Sequence, residues 1–187
     1  LLATRIVGPE GSVWSFEPSH LNRSYLERHV EWNCPGRATV LPYALAERNG
    51  VEEFGGSRSS MALGLGLGHE EVEVRSVSGI LAEGVPEPTV MKVDAEGSES
   101  RIVEGLVRTR ARPVVMCAVH DQRQFEHCTH ALQQAGYEVL LSEPIRKFLN
   151  GRSPWRGDPD IVALPQPDPN LKARLSETDL FWDVTAL

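Results

Sequence analysis

Chemistry-bearing residues gather in three places along the chain. The densest is Met91-Lys92-Val93-Asp94-Ala95-Glu96-Gly97-Ser98-Glu99, an apolar run followed by carboxylates and a glycine. In open α/β sheets ligands bind beyond the carboxyl ends of the strands, so Asp94 and Glu96 fall where a ligand would be met. The plainer alternative is an acidic cluster favoured by a helix N-terminus, which accounts well for Glu99 and poorly for Asp94. The second place is Val13-Trp14-Ser15-Phe16-Glu17-Pro18. An acid just past a strand, such as Glu17, can accept hydrogen bonds from ribose hydroxyls, and Pro18 fixes the turn into the next helix. A helix-dipole carboxylate is the alternative for Glu17. The third is His120-Asp121 at the end of a strongly apolar run. Histidine is suited to take up a proton near neutral pH, which makes His120 a candidate general base. Asp94 competes for that role, and a strand-end histidine capping the next helix is the alternative for His120.

Two further groups look chemical and are better explained otherwise. His127, Cys128 and His130, with Cys117 and His120 upstream, have the residue types of a metal cluster. Neighbouring positions on a helix diverge by ~100°, so 127 and 128 cannot face one ion, and Cys128 fits an inward face with Phe125 and Leu132. No metal site is therefore read from the sequence. Gly64-Leu65-Gly66-Leu67-Gly68 has the glycines of a phosphate loop. No Lys-Ser/Thr follows and no strand-to-helix transition frames it, so a surface loop is expected.

The elements that must position these residues alternate between short apolar runs and amphipathic stretches, the pattern of a parallel α/β sheet. The spacing predicts a helix tail over 1–7, a buried strand at 13–16, and a helix from the N-cap Ser19 to about Asn33. That helix would turn Leu21, Tyr25, Leu26 and Val30 inward. Strands follow at 38–41 and 51–54, a glycine- and serine-rich loop or hairpin at 55–70, and a half-exposed strand at 71–77. A buried strand at 89–93 leads to Asp94, and a helix at 99–107 turns Ile102, Val103 and Leu106 inward. The most apolar strand, 113–119, should be central. A helix at 122–135 is stopped by Gly136. Strands at 137–141 and 160–164 close the pattern around a surface excursion at 145–158, and 165–187 reads as a tail or lid.

The chain has 187 residues, 24% of them charged, and a net charge of −7. That suits one globular domain and argues against a nucleic-acid binder, whose affinity would rest on clustered basic charge. The longest apolar stretch is far below the ~20 residues of a membrane span. Three cysteines without CxxC spacing suit reduced thiols in a cytoplasmic protein. No signal-peptide pattern opens the chain, and its first residue is not Met, as in a fragment.

FEP, a turn of the type ALAERNG, KVDAEGSE and then RPVVM followed by His120 occur in an order that resembles the FkbM family of S-adenosylmethionine-dependent methyltransferases. The family pattern reads roughly AFEP, ALxxxxG, VKVDVEGxE and a strand ending near Glu-x-His, and the likeness runs from about residue 6 to 164. It implies a class I methyltransferase-like (Rossmann-like) α/β fold, mostly parallel, with flanking helices. The domain would span 1–164, and its glycine-rich loop, of the type DxGANxG, and first strand would lie before residue 1. By the same resemblance Glu17 and Pro18 would meet the cofactor ribose, and Ala44 and Leu45 the adenine. Asp94 and Glu96 would serve the methyl-donor and acceptor side, with His120 at the same sheet edge. Ala118 stands where many relatives have Glu, and Ser76-Val77-Ser78-Gly79 replaces a usual Thr-Leu-Asp. The implied activity is O-methylation of a small-molecule or carrier-bound hydroxyl, such as a sugar or secondary-metabolite scaffold. No nucleic acid or membrane partner is expected, and an open sheet edge favours a homo-oligomer. The alternative is a non-catalytic remnant or interaction protein that keeps the fold.

Overall fold

A computed structural model describes residues 1–56, 63–65, 70–142, 160–166, 169–170, 173–174 and 181–183. The chain divides into two compact units, residues 1–85 and 86–187.

The first unit begins with α1 (Leu2–Ile6), β1 (Val13–Phe16), α2 (His20–Asn33) and β2 (Ala38–Leu41). Strands β1 and β2 pair in parallel, Val13 opposite Ala38 and Phe16 opposite Leu41. Ser19 caps α2 as expected, its side chain accepting the Asn22 N–H. The expected inward face of α2 is a correction: the helix buries no residue, and Leu21 and Tyr25 are exposed. Strand β1, expected buried, is half-buried along its length.

The rest of the unit holds β3 (Ala44–Ala46), β4 (Gly50–Gly56), β5 (Leu63–Leu65), β6 (Glu70–Ser76) and α3 (Val77–Ala82). These strands form one sheet in the order β3-β6-β4-β5. Its core is Ala44, Ala46, Phe54, Val72 and Val74, with Leu65 packed against them. Strand β6 alternates as its sequence predicts, with Val72, Val74 and Ser76 inward. Within the expected 55–70 loop or hairpin, β5 pairs antiparallel with β4, while 57–62 and 66–69 lie outside the described residues. Neither β3 nor α3 was expected. The first is a three-residue strand, and the second starts at Ser76, whose hydroxyl accepts the Gly79 N–H.

The second unit holds β7 (Val90–Val93), α4 (Glu99–Val107), β8 (Val114–Ala118), α5 (Gln122–Gln134), β9 (Glu138–Ser142), β10 (Asp160–Leu164) and β11 (Phe181–Asp183). Its sheet runs β11-β9-β10-β8-β7. Strand β8 is interior, as its apolar sequence predicts, flanked by β7 in parallel and β10 antiparallel. Helices α4 and α5 turn Ile102, Val103, Leu106, Phe125, Cys128 and Leu132 into the core. Asp121 caps α5 by accepting the Gln124 N–H, and Gly136 takes the left-handed conformation that ends it (φ 85°).

The strand directions correct the mostly parallel expectation. Only β1–β2, β3–β6 and β7–β8 are parallel among the described pairs. Strand β10 lies antiparallel between β8 and β9, so those two run the same way and α5 is the crossover that joins them. A strand covered on both faces reads as one apolar run whichever way it points, and Ile161 to Leu164 are all buried. Strand β7, expected buried, ends the sheet and exposes Val90 and Lys92. Part of the expected tail or lid joins this sheet as β11, beside β9. The expected surface excursion, 145–158, lies outside the described residues.

Candidate active site

The parallel register of β7 and β8 sets Val93 opposite Cys117, so the residues that follow both strands leave the sheet level with each other. Asp94, Glu96 and His120 meet there. His120 Nε2 lies 3.7 Å from Asp94 Oδ1 and 3.3 Å from Glu96 Oε2. The Asp94 and Glu96 side chains remain partly open to solvent while the imidazole is largely covered, at 15% exposure.

The turn after β7 explains how two carboxylates spaced two apart reach one imidazole. Glu96 has φ 49° and Gly97 has φ 103°. Two successive left-handed residues reverse the chain sharply, and a non-glycine residue in that conformation is held there by its surroundings. The holding group is Glu99, the fully buried first residue of α4. Its Oε1 accepts the Ala95 N–H at 2.9 Å, and both of its oxygens accept the Gly97 N–H at 3.1 Å. The same Oε1 lies 2.9 Å from His120 Nδ1. Gln124 of α5 ties the turn to the next helix, donating to Gly97 O at 2.6 Å and accepting the Ser100 N–H at 2.9 Å. Lys92 Nζ sits 2.5 Å from Asp94 Oδ2 and leaves Oδ1 toward the histidine.

Three expectations from sequence therefore meet in one place. The helix-capping alternative for His120 fails, because Asp121 is the cap. The reading of Glu99 as a helix-end acid was incomplete: its carboxylate holds the preceding turn and faces the imidazole. Glu99, Gln124 and Lys92 also belong to the site, through the turn and through Asp94. An acid in the first turn of a helix has an ordinary reason to be there, and nothing local in the sequence separates the two roles. The rejected His127-Cys128-His130 grouping is helix surface and core, with Cys128 buried and both histidines exposed.

The remaining candidates lie in the first unit. Glu17 follows β1, its backbone N–H extending the ladder to Leu41 O at 3.0 Å. Its carboxylate Oε1 accepts the Ser19 N–H at 2.9 Å, so one oxygen already serves the start of α2. Burial pushes the Glu17 pKa up, opposed by that N–H and by the Arg23 charge. Pro18 follows directly, its carbonyl accepting from Arg23 at 3.2 Å. Ala44 and Leu45 are buried within β3 rather than in a loop. A cavity of about 450 Å³ in this unit is lined by Thr4, Arg5, Gly8, Pro9, Asn33, Cys34 and Arg37, none of them a candidate site residue.

The family model described as "Methyltransferase FkbM domain" matches residues 1–139. The crystal structure of a methyltransferase FkbM from Methylobacillus flagellatus KT is similar, with a TM-score of 0.54 at 22% identity, covering 82% of this chain and 36% of that chain. This chain thus spans about a third of that relative, and the likeness bears on the fold: α/β, class I methyltransferase-like. A precorrin-6y C5,15-methyltransferase from Geobacter metallireducens GS-15 aligns with a TM-score of 0.49 at 9% identity, over 87% of this chain and 74% of that one. No curated protein matches the sequence significantly.

Proposed function

Since the chain belongs to the FkbM methyltransferase family, we propose that it serves S-adenosylmethionine-dependent methyl transfer to a hydroxyl oxygen of a small-molecule or carrier-bound acceptor. The observation that carries this reading is the convergence of Asp94, Glu96 and His120 beyond two parallel strands of a family-matched chain. S-adenosylmethionine supplies a methyl group on a sulfonium, ready for displacement. Such a displacement asks the protein mainly to position two reactants, and a hydroxyl acceptor must also lose its proton. Asp94 and His120 are the groups suited to orient that hydroxyl and receive its proton.

The residues of the first unit fit a ribose-binding role. Glu17 is a partly desolvated carboxylate at a strand's carboxyl end, where an acceptor for two hydroxyls is useful. Glu17 and Pro18 would hold the ribose, Ala44 and Leu45 the adenine, and Asp94 and Glu96 would serve the methyl side. Calorimetry of the chain with S-adenosylmethionine and with its demethylated product tests the binding. Methyl transfer to a panel of hydroxylated sugars and phenols then tests the chemistry. Saturable binding and labelled product are expected. An absence of binding to either compound would favour a fold kept for interaction rather than catalysis.

A further inference from the structure

The geometry points to a divalent-cation site formed by Asp94, Glu96 and His120, with Glu99 as the outer carboxylate that orients the imidazole. The three ligand atoms all lie within 4.8 Å of one another. Two ligands bound to one ion at ~2.1 Å, with near-octahedral or tetrahedral angles, stand ~3.0–3.4 Å apart. The separations from His120 Nε2, 3.3 Å to Glu96 and 3.7 Å to Asp94, need only a few tenths of an ångström of closure.

The second observation is on the far side of the ring. A metal-bound histidine characteristically turns its other nitrogen to a carboxylate, which fixes the ring and leaves a lone pair for the metal. Fully buried Glu99 stands 2.9 Å from Nδ1. Its two oxygens are anchored by the Ala95 and Gly97 N–H groups, so it cannot swing away without undoing the turn that carries Glu96. Nδ1 is thereby directed to one acid while Nε2 faces two more. Lys92 engages the outer oxygen of Asp94 and leaves the inner one for the ion.

The donor set selects the class of ion. Two carboxylates suit hard cations and one imidazole suits first-row transition metals, so the site fits Mn2+ or a neighbouring first-row dication. Three protein ligands leave coordination positions for water or a hydroxyl-bearing ligand. The site's existence does not depend on the methyl-transfer reading. Use of the ion to bind an acceptor hydroxyl does rest on it; with the ion bound, the His120 Nε2 lone pair would be committed to coordination, and lowering of the bound hydroxyl's pKa by the ion would take the place of proton uptake by His120.

Mn2+ titrated into the full chain, followed by electron paramagnetic resonance and calorimetry, tests the site without any methyl donor. One Mn2+ per chain is expected, with nitrogen hyperfine coupling from the imidazole. His120→Ala should abolish that coupling and raise the Mn2+ Kd at least about tenfold, and Glu99→Gln should raise it ~10–100-fold with unchanged stoichiometry. Glu96→Gln, at a partly exposed position, should weaken binding with the fold intact by circular dichroism. His127→Ala should change nothing. Binding without nitrogen coupling, binding indifferent to His120→Ala, or none at millimolar Mn2+ would each overturn the assignment. Failure of methyl transfer with Mn2+ binding intact would instead count against the proposed activity.

Discussion

Glu17 is the residue whose proposed work and whose protonation are most directly linked. Hydrogen bonds from ribose hydroxyls to its carboxylate need the charged form, and removing them by Glu17→Ala should weaken cofactor binding by ~1.5–3 kcal/mol. Burial raises its pKa, so affinity should fall as pH drops through that raised value, and Glu17→Gln should flatten the dependence. The stability effect has the opposite sense. In the window between the unfolded and the raised folded pKa the native chain holds the extra proton, so stability declines as pH rises through that window. Calorimetric titrations across mildly acidic pH check the first, and denaturation midpoints check the second. A pH-independent affinity would remove Glu17 from the cofactor site. At the other cluster, His120→Ala and Asp94→Asn should each leave cofactor affinity within a few-fold. Loss of whichever group takes the proton should slow turnover by ~10²–10⁴. Normal rates in both variants would mean that another group receives the acceptor's proton.

At the scale of elements, what could be read in advance was what depends on a residue and its near neighbours. The cap at Ser19, the stop at Gly136 and the inward faces of α4 and α5 follow from spacing alone. So did the placing of Asp94, Glu96 and His120 at strand ends. What stayed hidden depends on distant partners. The direction of β10, the edge position of β7 and the joining of β11 to β9 are settled by pairing across many residues. Glu99 and Gln124 gain their site roles only when the turn at 96–97 brings them near. The apolar residues of α2 obey helical spacing, yet Leu21 and Tyr25 are exposed and Leu26 and Val30 only half-buried, so periodicity gave the element without its packing. Two substitutions test the local part. Asp121→Ala removes the side-chain acceptor of α5 and should cost about 1 kcal/mol. Leu132→Ala empties a fully buried position on the same helix and should cost ~2–5 kcal/mol. Urea denaturation followed by circular dichroism compares them, and equal losses would mean that α5 packs less firmly than its burial indicates.

For the whole molecule, the balance between charge and exposed apolar surface governs association. A net charge of −7 opposes self-contact, but the repulsion is screened within ~8 Å at physiological salt. Against it stands the second unit's sheet, which ends in β7 with Val90 58% exposed and, on β8, Met116 43% exposed. A strand that ends its sheet presents unpaired backbone groups, and proteins commonly blunt such edges with lysine. Lys92 is placed for that, but Asp94 engages its ammonium. We therefore expect concentration-dependent association that strengthens as salt rises, the reverse of an assembly held by ion pairs. Val90→Lys adds a second edge charge and removes the apolar contact, so it should shift the chain toward monomer at every salt concentration. Light scattering from 50 mM to 500 mM salt, with both proteins at matched concentrations, decides the matter. A chain that is monomeric throughout, or a Val90→Lys variant that associates like the parent, would show that the β7 edge does not drive assembly.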